Sequence, residues 1–178
     1  MSMSVPNNLR QLAPATRSTK VRSILLLEDS PGEAELFCHA LVRAWELLES
    51  KPELPRPGIN VKLTAQDALD FLRKQVAVEA RGFPDLIVLD VDLPGGTSLK
   101  FLQELRKDSS LTNLPVVAMA WTDDRPTVRT LEGLGVVDYV VKPMRFAELI
   151  TVVGGFCRRI LRETSRQDLH PAKGSRPA

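Results

Sequence analysis

Ile24-Leu25-Leu26-Leu27-Glu28-Asp29-Ser30-Pro31 decides how this chain folds. Four consecutive apolar residues suit a short strand buried on both faces. The run stops at two acids. Ser30 is a good helix N-cap and Pro31 fits the first helical position, so a helix starts there. Leu36, Phe37, Ala40, Leu41, Ala44 and Leu48 then recur at helical spacing. The unit is therefore strand, carboxylate, helix.

The rest of the chain repeats that unit. Residues 51–58, Lys-Pro-Glu-Leu-Pro-Arg-Pro-Gly, can form neither helix nor strand interior and read as a loop. Ile59, Val61 and Leu63 alternate with polar residues, which predicts a strand with one more exposed face. A second helix is predicted over 65–77, with Ala68, Leu69 and Leu72 on one side. Asp85-Leu86-Ile87-Val88-Leu89-Asp90 is the second apolar run that ends in a carboxylate. After a loop at 93–96, a helix over 98–106 places Leu99, Leu102 and Leu105 for burial. A strand over 115–120, a short helix over 126–134 closed by Gly133 or Gly135, a strand over 136–141 and a helix over 146–161 complete the pattern. Gly154-Gly155 within that last helix costs about 1 kcal/mol per glycine against alanine. Close helix approach, a helix end or a kink would each account for it.

Five strand–helix repeats with continuously apolar strands predict an α/β fold: a doubly wound, five-stranded parallel sheet with helices on both faces. In such sheets chemistry lies beyond the carboxyl ends of the strands. The residues there are Glu28-Asp29, Asp90, Ala120-Trp121 and Lys142.

Composition agrees with one globular domain. The chain has 178 residues, 43% hydrophobic and 26% charged, enough apolar surface for a core and too much for a disordered chain. No apolar run approaches the ~20 residues of a membrane span, and the first residues lack the apolar stretch of a secretory signal. Cys38 and Cys157 have neither framework nor metal-like spacing and read as reduced thiols, pointing to the cytoplasm. The net charge of +2 conceals an asymmetry. Residues 1–22 and 158–178 together hold ten bases against two acids, so the tails carry +8 and the body −6. Without aromatic interleaving or a helix-turn-helix pattern, the basic tails read as solvated ends, and nucleic acid is not expected as a partner.

Asp29 and Asp90 each end an apolar strand. Two such carboxylates side by side repel, and must either raise a pKa or bind a cation. Oxygen ligands of this kind suit Mg²⁺. Lys142 adds an opposite charge on the same edge. A nucleophilic carboxylate, a metal and a lysine together suit a phosphoryl group. Taken singly the residues have plainer roles: Asp29 could cap the first helix, and Lys142 could merely neutralise the acids.

Ile24-Leu-Leu-Leu-Glu28-Asp29-Ser-Pro31, Pro84-Asp-Leu-Ile-Val-Leu-Asp90-Val-Asp-Leu-Pro94 and Asp138-Tyr-Val-Val-Lys142-Pro143 resemble the receiver domain of two-component response regulators, the CheY-like superfamily. The resemblance covers about 22–160. It implies a flavodoxin-like (βα)5 fold with strand order 2-1-3-4-5, a receiver domain over 21–162, and basic tails at 1–20 and 163–178. It implies that Asp90 accepts a phosphoryl group from a histidine kinase. Mg²⁺ would be held by the carboxylates of Asp29 and Asp90, the backbone carbonyl of Asp92, and Glu28 through water. Lys142 would hold a phosphoryl oxygen, and the Lys142–Pro143 bond would be cis. Tyr139 matches the aromatic switch. A homodimer face on helix 4, strand 5 and helix 5 would use Val128, Leu131, Tyr139, Ile150, Val153 and Phe156. Output would be by protein contact rather than catalysis, in a single-domain regulator similar to those that partner bacterial phytochromes.

The sequence departs from the family at the end of strand four. Ala120 stands where the family has Thr or Ser, and Trp121 where it has a small residue. The lost hydroxyl removes a hydrogen bond to a charged group, worth roughly 1.5–3 kcal/mol. Trp121 would cover the site against small phosphodonors, unless a bulge brings Thr122 into the hydroxyl's place. Thr97-Ser98 replaces an Asp-Gly pair in a structural loop. These departures support an alternative, a pseudo-receiver that keeps the fold as a docking scaffold. A haloacid-dehalogenase-like phosphatase is more remote. Asp90-Val91-Asp92 has its spacing, but Leu93-Pro94 follows, and Asp123-Asp124 precedes Lys142 in the wrong order.

Overall fold

The structure is a computed structural model and describes residues 23–48, 56–77 and 83–167. The tail at 1–20, part of the loop at 51–58 and the last residues from 168 lie outside the described residues.

The elements alternate strictly. They are β1 (Ser23–Leu27), α1 (Pro31–Glu46), β2 (Gly58–Lys62), α2 (Ala65–Ala77), β3 (Leu86–Asp90), α3 (Thr97–Lys107), β4 (Val116–Ala120), α4 (Arg125–Gly133), β5 (Asp138–Val141) and α5 (Phe146–Gln167). A single 3-10 turn, Pro94–Gly96, precedes α3. All pairings are parallel and the strand order is β2-β1-β3-β4-β5, so the doubly wound α/β fold is the one the pattern predicts. β1, β3 and β4 are buried along their whole length, while the edge strands β2 and β5 are half-exposed.

Alternation along the strands divides the core into two layers. Leu25, Leu27, Ile87, Leu89, Val116 and Ala118 face α2, α3 and α4. Ile24, Leu26, Leu86, Val88, Val117 and Met119 face α1 and α5, which pack on each other. Phe37 of α1 and Phe156 of α5 stack with centroids 6.3 Å apart.

Local chemistry sets the junctions. Ser30 caps α1, accepting from the Glu33 N–H at 3.4 Å, and Pro31 follows it. Asp124 caps α4 by accepting from the Thr127 N–H at 3.0 Å. Gly135, not Gly133, closes α4. Its φ is +75°, and the Val136 N–H reaches Leu131 O while the Gly135 N–H reaches Glu132 O. That is a Schellman closure. It consumes Val136, and β5 begins at Asp138 rather than 136, with the Val137 N–H already donating to Val116 O of β4. Arg106 ties this corner to α3, donating to the carbonyls of Thr112, Leu114, Leu134 and Gly135.

Four expectations are corrected. The helix predicted over 146–161 runs on to Gln167, because Gly154-Gly155 neither ends nor breaks it. A Cβ at Gly154 would stand 3.8 Å from that of Ala44, an ordinary contact, so the approach of α1 and α5 does not demand glycine. Leu36 lies off the stripe formed by Ala34, Phe37, Leu41 and Ala44 and is 51% exposed. Leu131, Val153 and Phe156 cannot belong to a dimer face, because their side chains complete the two core layers. Finally, the Lys142–Pro143 bond is trans, as are all peptide bonds among the described residues. Trans is favoured by about 0.5–1 kcal/mol before proline unless packing selects cis. Met144, just beyond, stands 85% exposed.

Candidate functional site

Parallel register brings the charged strand ends together. Leu27 pairs with Leu89, Asp90 with Met119 and Ala120 with Val141. Glu28, Asp90 and Lys142 therefore emerge at one edge of the sheet, and all three are buried.

Lys142 is the centre of the cluster. Its Nζ lies 3.0 Å from Glu28 Oε2, 3.0 Å from Asp90 Oδ2 and 2.7 Å from Glu33 Oε2. The second oxygens are also used. Glu28 Oε1 accepts from the Ser30 N–H at 3.0 Å, and Asp90 Oδ1 from the Asp92 N–H at 3.0 Å. One ammonium thus serves three carboxylates. Burial disfavours the charged lysine, but hydrogen bonds to Glu33, Glu28 and Asp90 outweigh it and hold the ammonium well above its ordinary pKa. Burial raises the carboxyls of Glu28 and Asp90. Their bonds to Ser30, Asp92 and Lys142 offset this only in part.

Ser30 takes the cap of α1, so Asp29 does not serve there. The Asp29 carboxylate instead stands with those of Glu28 and Asp90, one oxygen from each lying within 4.8 Å of the others. Two buried acids and one exposed acid at this spacing are a donor set for a hard cation.

Asp92 is exposed, and its Oδ2 accepts from the Trp121 N–H at 2.9 Å, tying the loop after β3 to the loop after β4. The Trp121 ring is 45% exposed and stands over Lys142, its centroid 5.3 Å from Nζ. That is cation–π geometry. Ala120 is buried, and strand pairing stays regular through it to the Lys142 N–H, which donates to Ala120 O at 2.7 Å. No bulge carries Thr122 forward; its carbonyl accepts the hydroxyl of Tyr139. Tyr139 is half-buried against the α2–α4 layer. Val128 and Ile150 are also half-buried.

Glu33 is the site residue the sequence reading lacks. Ser30-x-x-Glu33 has capping-box spacing, which places a carboxylate in the first turn of α1. Only the fold brings Lys142 to meet it. Together these groups open into a pocket of about 80 Å³ walled by Leu36, Phe37, Met119, Trp121, Pro143 and Leu149.

The response regulator receiver domain model matches residues 48–154. The chain is 39% identical over 79 residues to the phosphate regulon transcriptional regulatory protein PhoB of Escherichia coli, covering 44% of this chain and 34% of PhoB. It is 36% identical over 75 residues to the two-component response regulator-like APRR1 of Arabidopsis thaliana, covering 42% and 12%. The chain thus spans about a third or less of these curated relatives. Among solved structures, the phosphorylated cyanobacterial phytochrome response regulator RcpA superposes with a TM-score of 0.64 at 24% identity, over 79% of this chain and 94% of its own. The Mn²⁺-bound response regulator Rcp1 gives 0.60 at 25% identity, over 76% and 91%. RPA3017, a response regulator in red light signaling of R. palustris, gives 0.63 at 17% identity, over 76% and 90%.

Proposed function

Since this chain belongs to the response regulator receiver domain family, we propose that it accepts a phosphoryl group on Asp90 from a histidine kinase. The observation that carries the reading is the buried Asp90 Oδ2 held 3.0 Å from Lys142, beside the acids Glu28 and Asp29. An Asp90 oxygen attacks phosphorus. The new O–P bond forms as the donor's P–N bond breaks, and the electron pair leaves with the imidazole. Lys142 then holds a phosphoryl oxygen. Asp29 and Asp90 would bind Mg²⁺ through their carboxylates, Glu28 through water and Asp92 through its carbonyl. When bound, the metal neutralises charge on the phosphoryl oxygens. No role in turnover as an enzyme is proposed.

A phytochrome-type kinase is the partner we favour, on the likeness to RcpA and Rcp1. The signal passes on by protein contact in the cytoplasm. We retain a homodimer through α4, β5 and α5, with Val128, Tyr139 and Ile150 as the residues left to serve it. Among the described residues no helix is long and apolar enough to cross a membrane.

A second reading, the pseudo-receiver scaffold, is favoured by one observation: Ala120 offers no hydroxyl at the end of β4. Intact mass after incubation with Mg²⁺ and either acetyl phosphate or a histidine kinase separates the two. One phosphate on the wild type and none on Asp90→Asn supports the acceptor. No adduct from either donor on a folded chain leaves the scaffold.

A further inference from the structure

An ammonium has three N–H donors, and Lys142 faces three carboxylates at 2.7–3.0 Å. It donates hydrogen bonds to Glu28 and Glu33, and its ion pair with Asp90 closes the remaining side before any phosphoryl oxygen arrives. An incoming oxygen is accepted only in exchange for one of the three. Glu28 is buried, and its other oxygen is fixed by the Ser30 N–H. Asp90 is also buried, fixed by the Asp92 N–H, and is itself the attachment point. Glu33 differs from both. Its side chain is 34% exposed on the first turn of α1, at the wall of the pocket. Its carboxylate can turn to water with little desolvation to overcome.

The helix start supports the same conclusion. In a capping box the N3 carboxylate reaches back to the N-cap N–H. Here that N–H, of Ser30, is taken by Glu28. Glu33 is thereby diverted from capping and turned onto Lys142 at 2.7 Å, the shortest contact in the cluster.

We propose that Glu33 is a positioning residue that occupies the Lys142 donor needed by the phosphoryl group and leaves for solvent when that group forms on Asp90. The proposal rests on the phosphoacceptor reading. Glu33 acts through Lys142 and through charge, since an anion beside the lysine repels an incoming phosphoryl group. It lowers phosphoryl affinity while holding the lysine in place in the resting chain.

The test is beryllofluoride, which bonds to a carboxylate oxygen as a phosphoryl group does. It is titrated with Mg²⁺ into the wild type, Glu33→Gln, Glu33→Ala and the exposed surface control Glu35→Gln, read by tryptophan fluorescence and calorimetry. Melting temperatures are taken without ligand. Both Glu33 variants should bind beryllofluoride about tenfold more tightly, the size of one charge-assisted hydrogen bond released from competition. Their ligand-free melting temperature should stay level or fall, a split of sign that a purely structural role does not give. Unchanged or weaker binding in both Glu33 variants, with the wild type binding, overturns this inference alone. So does equal tightening in Glu35→Gln, which would be a general charge effect. Failure of every folded form to bind overturns the phosphoacceptor reading and this inference with it.

Discussion

Replacing Lys142 with methionine keeps the length and volume of the stem and deletes only the charge. Of its three partners, Glu33 can turn to water, whereas Glu28 and Asp90 are buried and would remain as uncompensated anions. Removing one partner of a buried ion pair costs about 3–5 kcal/mol. For a chain of this size that corresponds to a melting temperature lower by roughly 6–20 °C at neutral pH. The pH dependence is the sharper test. Burial already raises both carboxyls, and without the lysine they rise further. A carboxyl raised in the folded state binds more protons there than in the unfolded state, so stability falls as pH rises through the window above its ordinary value. The deficit of Lys142→Met should therefore shrink as pH falls from 7.5 to 5. The wild-type lysine does not titrate in this range, since its contribution is complete below its ordinary pKa and is lost only above it. Melts followed by circular dichroism at pH 5, 6 and 7.5, at low and high salt, make the measurement. A loss under ~1 kcal/mol, the size of a surface pair, would refute the reasoning. A loss equal at every pH would do the same.

Asp90→Asn should abolish the phosphate adduct in intact mass. It should also raise the melting temperature at pH 7.5 by about 2–4 °C, the response to ~1 kcal/mol, and the gain should shrink as acid protonates the wild-type carboxyl, which burial raises; a lower melting temperature at pH 7.5 and at pH 4 alike would contradict this charge balance. Ala120→Thr should tighten beryllofluoride binding at least tenfold, since a hydrogen bond to a charged group contributes roughly 1.5–3 kcal/mol; unchanged affinity would mean that the end of β4 does not face the phosphoryl group. Arg106→Ala removes four carbonyl contacts at the α3–β5 corner and should lower stability by about 3 kcal/mol in urea titrations, with Arg106→Lys recovering little because an ammonium lacks the planar fork.

The ends of β1, β3 and β5 were legible in the sequence, because each of these strands is a short apolar run stopped by a charge. Glu28, Asp29, Asp90 and Lys142 stand out for that reason, and the parallel sheet follows from the alternation of such runs with helices. Local signals at single junctions were equally legible. Ser30-Pro31 starts α1 by its own backbone chemistry, without help from distant residues. What the sequence left open were choices between neighbours. Gly133 and Gly135 both suit a helix end, and only the 6→1 bond from Val136 to Leu131 selects Gly135. Apolar residues such as Leu131, Val153 and Phe156 read equally well as core or as contact surface, because periodicity gives a face but not what covers it; packing turns these three inward. Glu33 is the clearest case. Its spacing from Ser30 describes a cap, and only the crossing of the chain from β1 to β5 brings Lys142, 109 residues away, within 2.7 Å of it. The sequence by itself determined the fold and the charges at its active edge, since those are written in local runs. The tertiary structure decided which carboxylates share the lysine, because that depends on distances between residues far apart in the chain.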